Sequence, residues 1–251
     1  MLIYIIILSF TINFIFALGG VGGAVALVPI LQMFGFPPLS SKPIGLLGNT
    51  LSMIGASISN FKNKRIDFKL GLPIIIASIL FVPLGVKLAK ILPQKILLIF
   101  FIAFLIISSF LMLFFRGSKY TNESNQYKEK GSIILLSLIG GFAGIFSGML
   151  GVGGGSLISP TLILMGFNPK KVAGITAFAV PFSSFVGFIT YIITVSISWK
   201  YLVAAGISSY IGGILGTIIM QKKLNASTVK KILGVLLLVL TIKMVLKLIA
   251  L

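Results

Sequence analysis

The chain of 251 residues contains no histidine, no cysteine and only three acidic residues. Each absence removes a class of chemistry. Without Cys or His there is no disulfide framework, no thiol catalysis, and no His/Cys zinc or haem site. A Ser-His-Asp triad cannot be assembled. The acids, Asp67, Glu123 and Glu129, all lie in polar connections. The apolar segments therefore hold no carboxylate for a proton relay of the kind used by pumps. Clustered carboxylates for Mg²⁺ are missing on the same ground. The reading at this point is a protein that is not an enzyme and needs no cofactor and no metal.

What is present is apolar. Hydrophobic residues make up 57% of the chain and charged residues 10%. A soluble domain carries about 25% charged residues. The net charge of +18 rests on 21 Lys and Arg. Such an excess can mark nucleic-acid binding. Here the cations stand in small groups between long apolar runs, which is the arrangement of a multi-spanning membrane protein. The partners implied are the lipid bilayer and a small solute, with no nucleic acid.

A bilayer-spanning helix takes about 20 mostly apolar residues. Ile44–Phe61, Phe68–Leu88, Ile96–Phe115, Val172–Ser196, Lys200–Met220 and Val229–Ile249 have this character. Leu2–Phe34 and Ser132–Met165 are too long for one span, and glycines interrupt both. The breaks read Gly19-Gly20-Val21-Gly22-Gly23 and Gly151-Val152-Gly153-Gly154-Gly155. The short arms after them, Ala24–Phe34 and Ser156–Met165, reach about 15–17 Å at 1.5 Å per residue. That is half of a ~30 Å hydrocarbon core. Both regions are predicted to be broken or re-entrant hairpins. The apolar N-terminal run lacks a basic leading segment and continues past any cleavage site, so it is expected to stay in the mature protein.

The chain repeats itself. Displaced by 131 positions, residues 19–38 lie over residues 150–169 without a gap. Gly20, Val21, Gly22, Gly23, Pro29, Leu31, Gly35, Phe36 and Pro38 all find their identical counterparts. Ser52 falls on Ser183, and Gly85 on Gly216. Gly and Pro set backbone geometry, so their shared register argues for duplicated structure. The organisation predicted is a first transmembrane repeat over 1–115, a hydrophilic linker over 116–131, and a second repeat over 132–251. The fold class is an all-α polytopic bundle, each repeat being a glycine-broken hairpin plus three transmembrane helices.

Charge gives an orientation. If each broken region returns to its own side, Lys42, Lys87, Lys90, Lys95, Lys200, Lys243 and Lys247 share one side. The other 14 of the 21 Lys and Arg fall on the opposite side. The positive-inside rule favours this arrangement. It makes the repeats inverted, with both termini outside the cell.

The breaks are the candidate sites. A helix that starts inside the membrane presents free N–H groups and the positive end of its dipole. This is an anion site that needs no charged side chain. Irregular backbone at that depth is tolerated where it lines a cavity or is buried in protein. The candidate substrate-binding residues are Gly22, Gly23, Gly153, Gly154, Gly155 and Ser156 at the breaks. Asn49, Ser52 and Ser183 join them from the polar helices that follow. Ser159, Thr50, Ser57, Ser59, Asn60, Thr176, Ser184 and Thr190 extend the same polar set. Paired broken helices at matching positions of two halves point to a transporter's binding site.

These features resemble the TauE/SafE family of sulfite exporters. The resemblance is clearest at GMLGVGGGSLISPTLILMGFNPKKVAGITAFAVPFSS, and Ala24 departs from the glycine run in the first half. It implies a membrane permease for sulfite, organosulfonates or related anions, expected in the plasma membrane; rocking one half against the other is the default mechanism for inverted repeats. A passive anion channel of the same fold and a non-transporting membrane scaffold remain open, as does a homo-oligomer. Na⁺ held by backbone carbonyls also remains open as a coupling ion.

Overall fold

The computed structural model describes residues 2–63, 66–114, 133–193, 195 and 197–249. The linker predicted over 116–131, with Glu123 and Glu129, lies outside them. Among the described residues there are ten helices and no strand. They are α1 (Leu2–Leu18), α2 (Ala24–Met33), α3 (Pro38–Lys62), α4 (Phe68–Ile91) and α5 (Gln94–Phe114). The second set is α6 (Ile133–Leu150), α7 (Gly155–Leu164), α8 (Pro169–Ile192), α9 (Trp199–Lys223) and α10 (Ala226–Ile249). The displacement of 131 carries the starts of α1, α2, α3 and α4 onto those of α6, α7, α8 and α9.

Four of these helices are long and apolar enough to cross a membrane: α4, α6, α8 and α9. The protein is an integral membrane protein of the polytopic helical class. The sequence placed Ile133–Leu150 inside a broken hairpin rather than among the full spans; its 18 residues reach about 27 Å. The arms after the breaks are the short helices among the described residues, at 10 residues each or about 15 Å. Helices α3, α5 and α10 have the length of a span, at 25, 21 and 24 residues.

Local chemistry explains where the helices stop. Gly20 is left-handed at φ +72°, a region that L side chains avoid. Its N–H donates to the Ala17 carbonyl, and the Val21 N–H donates back to Phe16. This Schellman pair satisfies two carbonyls that the end of α1 would otherwise leave open. Gly35 and Gly166 end α2 and α7 with the same pair of bonds, at φ +87° and +94°. Asp67 starts α4 by accepting from the Lys69 and Leu70 N–H groups, at 3.1 and 3.3 Å. Its other oxygen meets Lys171 Nζ, 3.4 Å away at the start of α8.

The two sets of helices are interleaved. Helix α1 packs on α9, and its counterpart α6 packs on α4. Helix α3 contacts α9, α8 contacts α4, and α3 crosses α8. Small residues allow the closest approaches. A Cβ on Gly140, Gly144 or Gly148 would run into the backbone of Ile74, Ser78 or Val82 of α4. Contacts advance together along α4 and α6, so these two helices run parallel. On the α3–α8 crossing the order is opposed. Leu46 lies against Gly187, while Asn49 bonds Ser184.

The short helices lie inside this frame. Seven residues of α2 and eight of α7 are buried, from ten in each. The non-helical backbone that leads into each, Gly19–Gly23 and Gly151–Gly154, is buried as well and so is sheltered by protein, whereas the turn after α2 at Phe34 and Gly35 is exposed.

Candidate glycine-break site

The N-termini of α2 and α7 converge. A Cβ on Gly155 would lie 3.5 Å from Val21 and 3.6 Å from the Gly22 nitrogen. The two breaks are therefore packed against each other, although 131 residues separate them. Asn49 of α3 sits over both. It comes so close to Gly22 and Gly153 that neither position has room for a Cβ.

The first break is closed by side chains. Asn13 Oδ1 accepts from the Gly23 N–H at 3.1 Å. Asn49 Oδ1 accepts from the Ala24 N–H at 3.4 Å. Both amides are anchored on their other edge. Asn13 Nδ2 donates to the Ser9 carbonyl and to Ser209 Oγ, each at 2.9 Å. Asn49 Nδ2 donates to Ser184 Oγ at 2.8 Å. The Gly20 carbonyl is covered as well, by the Thr176 hydroxyl at 2.9 Å and the Ser159 hydroxyl at 3.5 Å.

The second break is different. The positions equivalent to Asn13 and Asn49 are Gly144 and Val180, which have no acceptor to offer. Ala143 and Val180 are what a Cβ on Gly154 or Gly155 would touch, at 3.5 and 3.3 Å. Among the described residues no side chain caps α7. Ser156, in its first turn, is fully buried and its Oγ has no hydrogen-bond partner among them. The backbone differs too. Gly153 is left-handed at φ +74°, whereas Gly22 is outside that region.

The other residues singled out from sequence fall elsewhere. Ser52 is buried against Gly213 of α9, one turn along α3 from Asn49. Ser183 donates back to the Val180 carbonyl at 3.1 Å. Thr50 and Thr190 likewise bond carbonyls of their own helices. Ser59 and Asn60 join Gln221 in a buried cluster that ties α3 to α9. Thr50 and Ser57 line a largely apolar groove between α3 and α8, walled by Ile54, Phe178 and Phe182.

Asn13, a lone amide inside an apolar helix, is a participant that the sequence motifs do not mark. Lys42, by its sequence position a flanking anchor at the mouth of the first break, is placed on the second repeat. Its ammonium donates to the Met149 carbonyl at 2.9 Å and stands 5.4 Å above the Tyr191 ring. Tyr191 OH donates to the Gly148 carbonyl at 2.7 Å. Together they cover the last turn of α6, where the helix dipole is negative.

The comparisons with known proteins agree with this architecture. The family model for sulfite exporter TauE/SafE matches residues 5–244. The chain belongs to the TauE/SafE family. "Probable membrane transporter protein YunE" of Bacillus subtilis (strain 168) is 25% identical, over 94% of each chain. "Probable membrane transporter protein ORF9" of Sinorhizobium sp is 25% identical, over 97% of this chain and 92% of its own. "Sulfite exporter TauE/SafE family protein 1" of Arabidopsis thaliana is 35% identical, over 30% of this chain and 18% of its own. No solved structure matches. As a TauE/SafE member the protein is a membrane transporter, which implies a small-molecule substrate and a lipid bilayer around it.

Proposed function

We propose that the protein is a permease of the plasma membrane for a small anion, most simply the export of sulfite or an organosulfonate. The substrate is held near the midplane by N–H groups at the glycine breaks. The two repeats are inverted, each a broken hairpin followed by three crossings, and transport proceeds by rocking one half against the other. Opposed order along α3 and α8 supports the inversion. These helices are repeat equivalents, and equivalent helices of inverted repeats run antiparallel.

The observation that carries the reading is the start of α7. A helix N-terminus is buried here with Ser156 Oγ beside it; among the described residues that hydroxyl has no partner, as Ser9, Ser52 and Ser147 have none, but of the four Ser156 alone stands in the first turn of a buried helix start. Buried hydroxyls are ordinarily satisfied. An oxyanion would accept from this hydroxyl and from the first-turn N–H groups together. The apolar segments of the sequence hold no acid, which suits an anion, since no carboxylate within them repels it.

The test is flux through purified protein in proteoliposomes. Sulfite, sulfate, sulfoacetate, isethionate and thiosulfate form the panel. Saturable flux of a sulfur oxyanion supports the reading. Flux that rises linearly with the gradient identifies a channel, and no flux of any anion identifies a scaffold.

A further inference from the structure

We propose that the two breaks have divided their roles: the second alone takes the substrate, and it takes a singly charged oxyanion. The inference rests on the anion reading above and goes further in naming one site and one charge. The first break already contains its ligands. The carbonyl oxygens of Asn13 and Asn49 stand where an anion's oxygens would stand, on the Gly23 and Ala24 N–H groups. Gly144 and Val180 leave the same places empty of acceptors around α7, and Ser156 Oγ remains unpaired at zero exposure. The first break is thus an internally capped copy, fixed by two amides. The second is the one still short of an acceptor.

The charge follows from the donor set. The groups contacting Gly153, Gly154 and Gly155 are Asn49, Ser184, Ile158, Ala143, Val180, Val21 and Gly22, none of them charged. Lys42 packs on Gly151 at the start of the same break, but its ammonium is turned onto the Met149 carbonyl at the end of α6, so the atoms at the start of α7 meet an anion with dipoles. Dipole stabilisation grows in proportion to the ligand's charge, whereas desolvation grows as its square. Doubling the charge therefore doubles the return and quadruples the penalty. A sulfonate or bisulfite fits this balance, and sulfite dianion or sulfate does not.

The experiment uses full-length protein in proteoliposomes with methanesulfonate, sulfate and sulfite as probes. Methanesulfonate is expected to show saturable flux that is unchanged between about pH 6 and pH 8. Sulfate kcat/KM is expected to be lower by about a hundredfold or more, because the cation against this break, Lys42, is held on the Met149 carbonyl and a second buried charge goes uncompensated. Sulfite flux should rise at the acid end, where bisulfite dominates. Ser156→Ala should raise the KM for methanesulfonate about tenfold by removing a hydrogen bond to a charged group. The same variant should keep or raise Tm, because it deletes an unsatisfied hydroxyl. A purely structural serine would leave KM unmoved. Val180→Asn copies the first break's cap onto the second and should close the site to methanesulfonate. Equal handling of sulfate and methanesulfonate, or an unchanged KM in Ser156→Ala, overturns the inference while leaving the permease intact. Absence of saturable flux for all three probes removes both together.

Discussion

Gly22→Ala tests whether the breaks are held by the geometry described. A Cβ at Gly22 would sit 1.7 Å from Asn49 Oδ1 and 2.5 Å from its Cγ. Asn49 must then retreat by more than an ångström. It cannot do so and keep both bonds, to the Ala24 N–H at 3.4 Å and to Ser184 Oγ at 2.8 Å. Leaving a buried polar group unsatisfied costs about 1–3 kcal/mol. The first bond is long, so a total of about 2–4 kcal/mol is expected. For a chain of this size that lowers Tm by roughly 5–15 °C. Gly154→Ala is the control, because its Cβ meets nothing nearer than 3.4 Å and its φ is −73°. It should melt within about 2 °C of the parent, as conservative changes at uncrowded positions do. The assay is thermal unfolding in detergent micelles, with Asn49→Ala completing a double-mutant cycle. In that background Gly22→Ala should cost little, giving a coupling of about 1–3 kcal/mol. Additive losses, or a Gly154→Ala as damaging as Gly22→Ala, would refute the reasoning.

Three further outcomes are expected. Gly154→Leu should abolish anion flux in proteoliposomes while the protein still inserts and purifies, because a Leu at the start of α7 fills the space an anion needs. Gly148→Ala should lower Tm severely, since its Cβ would fall 2.3 Å from the Val82 carbonyl and α6 would have to part from α4; retained stability would place that contact elsewhere. Gln221→Leu removes the partner of the buried Asn60 Oδ1 and of the Ser59 hydroxyl at the α3–α9 junction, while the exposed Asn63 keeps its bond to the Ser59 carbonyl. It should destabilise by about 2 kcal/mol, read as a Tm loss with anion KM unaltered.

Much of the fold was legible because glycine and proline speak about backbone directly. The left-handed Gly20 and Gly151, the helix-ending Gly35 and Gly166, and the starts at Pro38 and Pro169 all coincide with the repeat read from sequence. Periodicity cannot tell a short arm's partner from a full span: Ser132–Met165 reads as one broken hairpin, and its first helix, α6, is itself long enough to cross. The polar helix α3 was legible as polar, but not in detail. Asn49 and Ser52 share a face by spacing, yet one reaches the breaks and the other faces Gly213. Only packing against a particular neighbour decides between such residues.

The repeat also concealed what matters most at the site. Identity at Gly22-Gly23 and Gly153-Gly154 argues that the breaks are alike, and their N-caps have nearly the same torsions, φ −78° and −73°. Part of the difference is in the motif's own backbone, Gly153 being left-handed and Gly22 not; the rest lies in residues outside either motif. Asn13 and Asn49 stand ten residues before and twenty-six after the cap they serve, and their counterparts Gly144 and Val180 look like ordinary apolar packing. An alignment of the halves scores those positions as neutral mismatches. Physically they decide whether a buried helix N-terminus is satisfied by its own protein or left to be satisfied by something else. A duplicated scaffold supplies two helix ends with matching starts, and two amides are enough to retire one of them.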